Sequence, residues 1–329
     1  MGAFGKNHAR VYHELQQQGC GVELVGVVDA SAAQAKSVAG QFGCKALTNI
    51  EDLIGRVDAV SVAVPTVHHL TVAAKLMAAG IDVLIEKPLA SSLDEADELI
   101  RLAEANQRIA QVGHLERFNP AVRATVPLLT RPMFFEVHRL SVFTPRSLDV
   151  DVVLDLMIHD IDVVLSFAKS AVKEIRAVGL PVVSGKVDIA NVRMEFESGC
   201  VANLTASRIS TERVRKLRFF QPREYISVDY SRQDVLQFRV MNEDRMSLDQ
   251  LLASIGAPDA APIPGVTVNR PPVQQEEPLH AELKSFLDAV RRRSRPVVAL
   301  EDGRRALAVA LEILAAIAEH SQRLGLGSL

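Results

Sequence analysis

From Gly5 onward the apolar positions alternate between helical spacing and short, nearly continuous runs. That pattern predicts a helix through Gln18, strand Val22 to Val28, helix Ala32 to Phe42, strand Ala59 to Ala63, helix His69 to Ala79 and strand Val83 to Ile85. Helix Leu93 to Asn106 and strand Ile109 to Val112 extend the same wave. Such alternation implies a parallel, doubly wound α/β sheet. The run from Asp58 to Val64 is almost entirely apolar, as expected of a strand covered on both faces. Gly19 and Gly80 each follow a helical stretch, where a left-handed cap is needed.

Past residue 118 the rhythm changes. Asp151 to Phe167 reads as a helix apolar around most of its circumference, hence largely buried. Strand-like stretches follow: Val172 to Val178, Ile189 to Phe196, Val201 to Ile209, Val214 to Phe220, Tyr225 to Asp229 and Val235 to Val240. Strands in succession with short turns, such as the hairpin at Gly199, imply a large, mainly antiparallel sheet and an α+β domain. Two domains are therefore expected, a nucleotide-binding one over 1–118 and a second over 119–329. The proline-rich stretch from Ala257 to Pro278 reads as an irregular loop. Helices Leu279 to Arg292 and Gly303 to Arg323 close the chain and could pack back on the first domain. Arg291 to Arg293 reads as a solvated helix end.

Composition narrows the classes. With 329 residues, 48% of them hydrophobic, the chain can bury two ordinary cores. A net charge of −3 with interspersed signs gives no footprint for nucleic acid or a membrane surface. The cysteines, Cys20, Cys44 and Cys200, show neither paired metal spacings nor a disulfide framework, which suits a reducing compartment. No secretory pattern and no run of about 18 apolar residues appears, so a cytoplasmic protein is expected.

The chemistry concentrates in a few places. Val83-Leu84-Ile85 runs into Glu86-Lys87-Pro88, which puts Lys87 at the C-terminal edge of a parallel sheet, where such sheets bind ligands. A cation there can meet a developing alkoxide; a solvated loop lysine is the plainer alternative. Gly2 and Gly5 have the spacing of the second half of a dinucleotide-binding glycine turn, but the first glycine and the preceding strand are absent. A central strand cannot be omitted without exposing backbone groups in the core, so translation is expected to start upstream, with Met1 internal to the turn. Asp29 ends a strand where an acid would accept adenosine-ribose hydroxyls, and no arginine follows closely, which favours NAD over NADP. Its alternative role is a helix N-cap.

On the buried helix, Asp155 and His159 are four apart and Asp162 three further on, so all three line one face of a regular helix. Such groups need partners or a cleft, and a histidine beside an acid can serve as a general base; a satisfied core histidine is the alternative. Asp-x-x-x-His could also supply two metal ligands, but neither His114 nor His138 completes a recognisable set, so no metal is expected.

With these pieces placed, the chain resembles the Gfo/Idh/MocA family of NAD(P)-dependent oxidoreductases over nearly its whole length. The residues that carry the resemblance are Gly2 to Gly5, Asp29, Val64-Pro65-Thr66-Val67-His68-His69, Glu86-Lys87-Pro88, and Asp155 with His159. It implies a Rossmann domain, then a domain whose open sheet forms oligomer contacts, hence a homodimer or homotetramer. It also implies Lys87 and His159 as the catalytic pair, Asp155 as the accompanying acid, and Gly2, Phe4, Gly5, Asp29, Pro65, His69, Glu86 and Lys87 as cofactor-binding residues. Gly113 to Pro120, His138-Arg139-Leu140 and Asp155 to Asp162 are similar to members that oxidise the 3-hydroxyl of UDP-N-acetylglucosamine for lipid A or related glycans. A diphosphate substrate needs cations, and Arg117, Arg139, Arg146, Arg208 and Arg213 are available. A free polyol such as an inositol is the second substrate expectation. A non-catalytic or truncated cofactor-binding protein is the third reading.

Overall fold

The computed structural model describes residues 2–144, 150–240 and 265–325. The chain divides into two compact units, 1–118 with 276–311, and 119–275 with 312–329. The break at 118/119 falls where the pattern changes. Residues 276–311 belong to the first unit, so the first of the closing helices is part of that unit's core.

The first unit contains helices α1 (Ala3–Gln17), α2 (Ala32–Phe42), α3 (His69–Ala78) and α4 (Leu93–Ala105). Local chemistry sets their ends. Ser31 accepts the Gln34 amide at the start of α2, and Gly43 closes that helix in the left-handed region at φ 65°. Ser92 accepts the Glu95 amide at 3.2 Å, while Glu95 reaches back to the Ser91 amide at 2.9 Å, a reciprocal cap. Gly19 and Gly80 adopt φ +69° and +81°, as a left-handed cap requires.

The parallel strands form two separate sheets. Strands β1 (Gly26–Val28) and β2 (Lys45–Leu47) pair with each other; β3 (Ala59–Val62), β4 (Asp82–Glu86) and β5 (Ala110–Gly113) form the second sheet, in that order. Among the described residues no pairing joins β1 to β3, which leaves a division between the two sheets. Helix α1 packs on both sides of it. Val11 and Leu15 join Leu84, while Ala9 joins Val27, Val38 and Ala39. Helix α7 (Pro278–Arg292) adds Leu283 and Phe286 to the Leu84 cluster. Strand β4 is buried throughout, with Val83, Leu84 and Ile85 at 0% exposure. The chain closes with α8 (Leu300–Arg323).

The second unit is built on an eight-stranded sheet. Its strands are β6 (Phe134–Val142), β7 (Val172–Leu180), β8 (Ile189–Phe196), β9 (Val201–Ser210), β10 (Val214–Gln221), β11 (Glu224–Asp229), β12 (Asp234–Val240) and β13 (Val266–Asn269). The order is β13-β12-β11-β10-β6-β9-β8-β7, antiparallel except for the β6/β9 pair. Two of these strands differ from expectation. Strand β6 lies at the centre of the sheet, and β13 lies inside the stretch read as a loop. Short helix α5 (Pro120–Thr125) starts with Pro120 after the Asn119 cap. Helix α6 (Ile158–Ala168) sends Phe167 edge-on against Phe219, which in turn packs on Phe135. The turn before α6, Val153–Met157, is a π-helix rather than the regular helix expected from Asp151.

Candidate active site

At the C-terminal edge of β4, Glu86 turns inward and Lys87 leaves the sheet half-buried. The Glu86 carboxyl is bonded to His8 of α1 at 2.9 Å and accepts the Lys87 backbone N–H at 3.3 Å. Both carboxyl oxygens are thus engaged within the unit.

His69 is likewise engaged within the unit. It is 1% exposed, its Nδ1 lies 3.1 and 3.2 Å from the carbonyls of Pro88 and Leu89, and its Nε2 lies 3.0 Å from that of Val64. The ring therefore ties the loop after β3 to the loop after β4. Pro65 starts the 3₁₀ turn Thr66–His68 next to that tie. Burial lowers the His69 pKa.

His114 follows β5 and is 1% exposed. Burial, then the charges of Lys87 and Arg117, push its imidazolium down to about 3, so the ring is neutral near pH 7. Lys87 and Arg117 are thus brought to one neighbourhood around a neutral ring. Arg117 sits half-buried on the turn Leu115–Phe118.

The same unit offers features that fit a dinucleotide. Helix α1 starts at Gly2 with no side-chain cap, and its first amides lack intrahelical partners, as at anion-binding helix ends. Nothing lies within 4 Å of where a Gly2 Cβ would be, and Gly5 is buried one turn on. Asp29 follows β1, with one carboxylate oxygen accepting the Ser31 amide at 2.7 Å. The cap of α2 is Ser31 itself, not Asp29. Phe4 and Val67 are exposed by 52% and 65%.

In the second unit, His159 is the second residue of α6 and is 7% exposed. Asp155 is half-buried on the π turn, and the widened turn changes its phase relative to His159, so straight-helix spacing does not describe the pair. Arg139 and Arg208 each have a counter-ion within the unit. Arg139 is 2% exposed, forms a two-point pair with Asp160 at 2.5 and 2.9 Å, and lies 5.3 Å from the Tyr230 ring centre. Arg208 is held by the Val150 carbonyl and lies 3.7 Å from Asp188. Both hold the unit together. Arg213 is exposed in the β9–β10 turn, and Arg146 lies outside the described residues. Among the described residues, no cluster of three or more His, Cys, Asp or Glu could hold a metal, and no helix is long and apolar enough to cross a membrane.

The residues sequence reasoning missed are His8 and Gly113. A signal for His8 existed, since it falls on the buried stripe of α1 with Gly5, Val11 and Leu15, where a polar residue requires a partner.

Comparison with known proteins agrees with this architecture. Residues 1–114 match the oxidoreductase family with an NAD-binding Rossmann fold, and residues 131–223 match the GFO/IDH/MocA C-terminal domain. The UDP-N-acetylglucosamine 3-dehydrogenase of Acidithiobacillus ferrooxidans is 36% identical over 98% of this chain and 97% of its own length. A solved structure of that enzyme superposes with TM-score 0.85 at 33% identity, covering 96% of this chain and 95% of the other. The inositol 2-dehydrogenase of Rubrobacter xylanophilus is 31% identical over 54% of this chain and 53% of its own length. The glycine-led helix, the Glu86-Lys87-Pro88 turn on a parallel sheet, and the large second sheet thus have one common explanation: the chain belongs to the Gfo/Idh/MocA family of NAD-binding oxidoreductases.

Proposed function

We propose that the protein is an NAD-dependent dehydrogenase that oxidises the 3-hydroxyl of UDP-N-acetylglucosamine. The near full-length sequence similarity to the Acidithiobacillus enzyme, 36% identical over 98% of this chain, carries the substrate, because the inositol dehydrogenase relative aligns in sequence over only 54% of it. Bound NAD supplies the hydride acceptor. Asp29 binds the adenosine ribose, and the start of α1, from Gly2 to Gly5, binds the pyrophosphate. The Lys87 ammonium stabilises negative charge on the substrate oxygen as its proton leaves. His159 accepts that proton through a ring nitrogen, and Asp155 favours the resulting imidazolium. The substrate diphosphate is left to Arg117, Arg213 and Arg146, since Arg139 and Arg208 have internal counter-ions.

The outer sheet face of the second unit is the contact surface between copies of this chain, in a homodimer or homotetramer. It carries an in-register row, Val201, Phe134, Phe220, Tyr225, Phe238 and Val268, across β9, β6, β10, β11, β12 and β13. Neighbouring rings along it lie 5.1 to 5.7 Å apart, and Phe220 and Val268 are exposed by 39% and 58%. Apolar surface of this extent is usually covered. The reaction is assigned to the cytoplasm, upstream of lipid A or related glycans.

The test is NADH formation with UDP-N-acetylglucosamine and with myo-inositol, each offered with NAD and NADP. Turnover of the nucleotide sugar with NAD is expected; equal or faster turnover of the inositol would overturn the substrate assignment. Sedimentation of Phe220→Asp tests the sheet contact, with dissociation toward monomers expected.

A further inference from the structure

One histidine near the Glu86-Lys87-Pro88 turn has no part in the reading above. His8, on the second turn of α1, is 3% exposed, and its Nε2 lies 2.9 Å from Oε1 of Glu86. A carboxylate only accepts, so Nε2 carries the hydrogen. The other oxygen, Oε2, accepts the backbone N–H of Lys87 at 3.3 Å. Gly113 stands opposite Glu86 in the β4/β5 ladder. A Cβ at Gly113 would meet the Glu86 Cδ and Oε1 at 2.9 Å and Oε2 at 3.0 Å. Gly113 does not adopt a positive φ, so its lack of a side chain serves space rather than backbone conformation. It leaves the volume that the carboxyl fills.

A buried carboxylate is costly without a strong donor, so the His8 bond fixes where Glu86 can be. Glu86 in turn holds the peptide that starts Lys87. The side chain of Lys87 is long and flexible, and the direction in which it leaves the sheet is set by that peptide. We propose that His8 and Glu86, seated on Gly113, are a positioning pair that aims Lys87 and links it to α1, the helix at the cofactor's phosphates. The proposal rests on the reading of Lys87 as the group that stabilises the substrate oxygen. It assigns Glu86 and His8 no contact with substrate or cofactor.

The experiment compares His8→Leu, His8→Gln, Gly113→Ala and Lys87→Ala in the full chain. Turnover, the KM for UDP-N-acetylglucosamine, NADH affinity by fluorescence and thermal midpoint are read for each. A glutamine amide can donate where the histidine Nε2 does, leucine cannot, and the added methyl of Gly113→Ala displaces the carboxyl. His8→Leu and Gly113→Ala should lower kcat by about 10-fold to 100-fold, the loss expected for a misplaced catalytic group, with NADH affinity and KM little changed. His8→Gln should recover most of the lost kcat, which a purely structural role has no reason to produce once thermal midpoints are matched. Should His8→Leu fail to fold, Gly113→Ala and His8→Gln still decide. Wild-type kcat in folded His8→Leu or Gly113→Ala would overturn the proposal, as would kcat losses that track lost NADH affinity. Full turnover of Lys87→Ala would sink the reading of Lys87 and this proposal together. An inactive Lys87→Ala beside a fully active Gly113→Ala would sink only the pair.

Discussion

In the second unit, buried cations meet their counter-ions inside the fold: Arg139 has both oxygens of Asp160 and the Tyr230 ring, and Arg208 has Asp188 and a carbonyl. In the first unit, the inward-turned groups at the end of β4 hold backbone. Glu86 accepts the Lys87 amide, the His69 ring lies within 3.2 Å of three backbone carbonyls, and Lys87 itself is half-buried at the sheet edge. The difference separates two uses of charge. A buried cation with a two-point carboxylate partner has its charge balanced inside the fold, whereas Lys87 stands on a loop whose backbone is held by its neighbours.

The comparison is easiest to break by exchanging the roles. Lys87→Ala and His159→Ala should each lower kcat by about 10³-fold or more while unfolding free energy moves by about 1 kcal/mol at most, measured by NADH formation and urea titration. Asp160→Ala should do the reverse, removing about 3–5 kcal/mol of stability by leaving Arg139 buried without its counter-ion. A raised KM for the nucleotide sugar at unchanged stability would return Arg139 to the substrate.

Acidification should also distinguish the units. His114 titrates near 3 in the folded chain, below the 6.5 of a free imidazole. The unfolded chain thus binds a proton that the folded one refuses, so this contribution is complete above about pH 6.5 and is lost as pH falls toward 3. Asp188 is held near 2; burial works to raise it, but the Ser184 hydroxyl and the amides of 182, 183 and 184 prevail. Its stabilisation is complete above its ordinary 3.8 and is lost only as pH falls toward 2. Urea titrations at pH 7 and pH 5 should therefore show a loss of about 2 kcal/mol from His114, absent in His114→Gln, and none from Asp188. The smallest effect is expected for exposed Arg213, where Arg213→Ala should raise the KM for the nucleotide sugar about 10-fold with kcat unchanged.

Much of the fold was legible because the first unit's elements are locally specified. Helix α2 begins and ends at Ala32 and Phe42, where its periodicity does, and the apolar runs of β3 and β4 lie within the predicted strands. Strand β6 escaped because Arg139 follows buried Phe135 and Val137 at a core-facing position, which breaks the alternation. Strand β13 escaped because the β-branched run Val266-Thr267-Val268 is short and set within a proline-rich stretch, and its pairing with β12 is not visible locally. The π turn at Val153–Met157 left no mark in the spacing of Asp155 and His159.

Residue types and local order alone determined that a doubly wound sheet precedes a large antiparallel one, that Lys87 leaves the end of a buried strand, and that His159 lies on a buried helix. Those features depend on period, caps and burial, which short stretches of chain encode. Tertiary structure alone decided which partners the buried charges meet. The Glu86 partner is 78 residues away on α1, the Arg139 partner is 21 residues away on α6, and the space for the Glu86 carboxyl is an absent Cβ on a neighbouring strand. No local pattern encodes such pairings, because the cost of burying a charge is met by whatever the fold brings beside it.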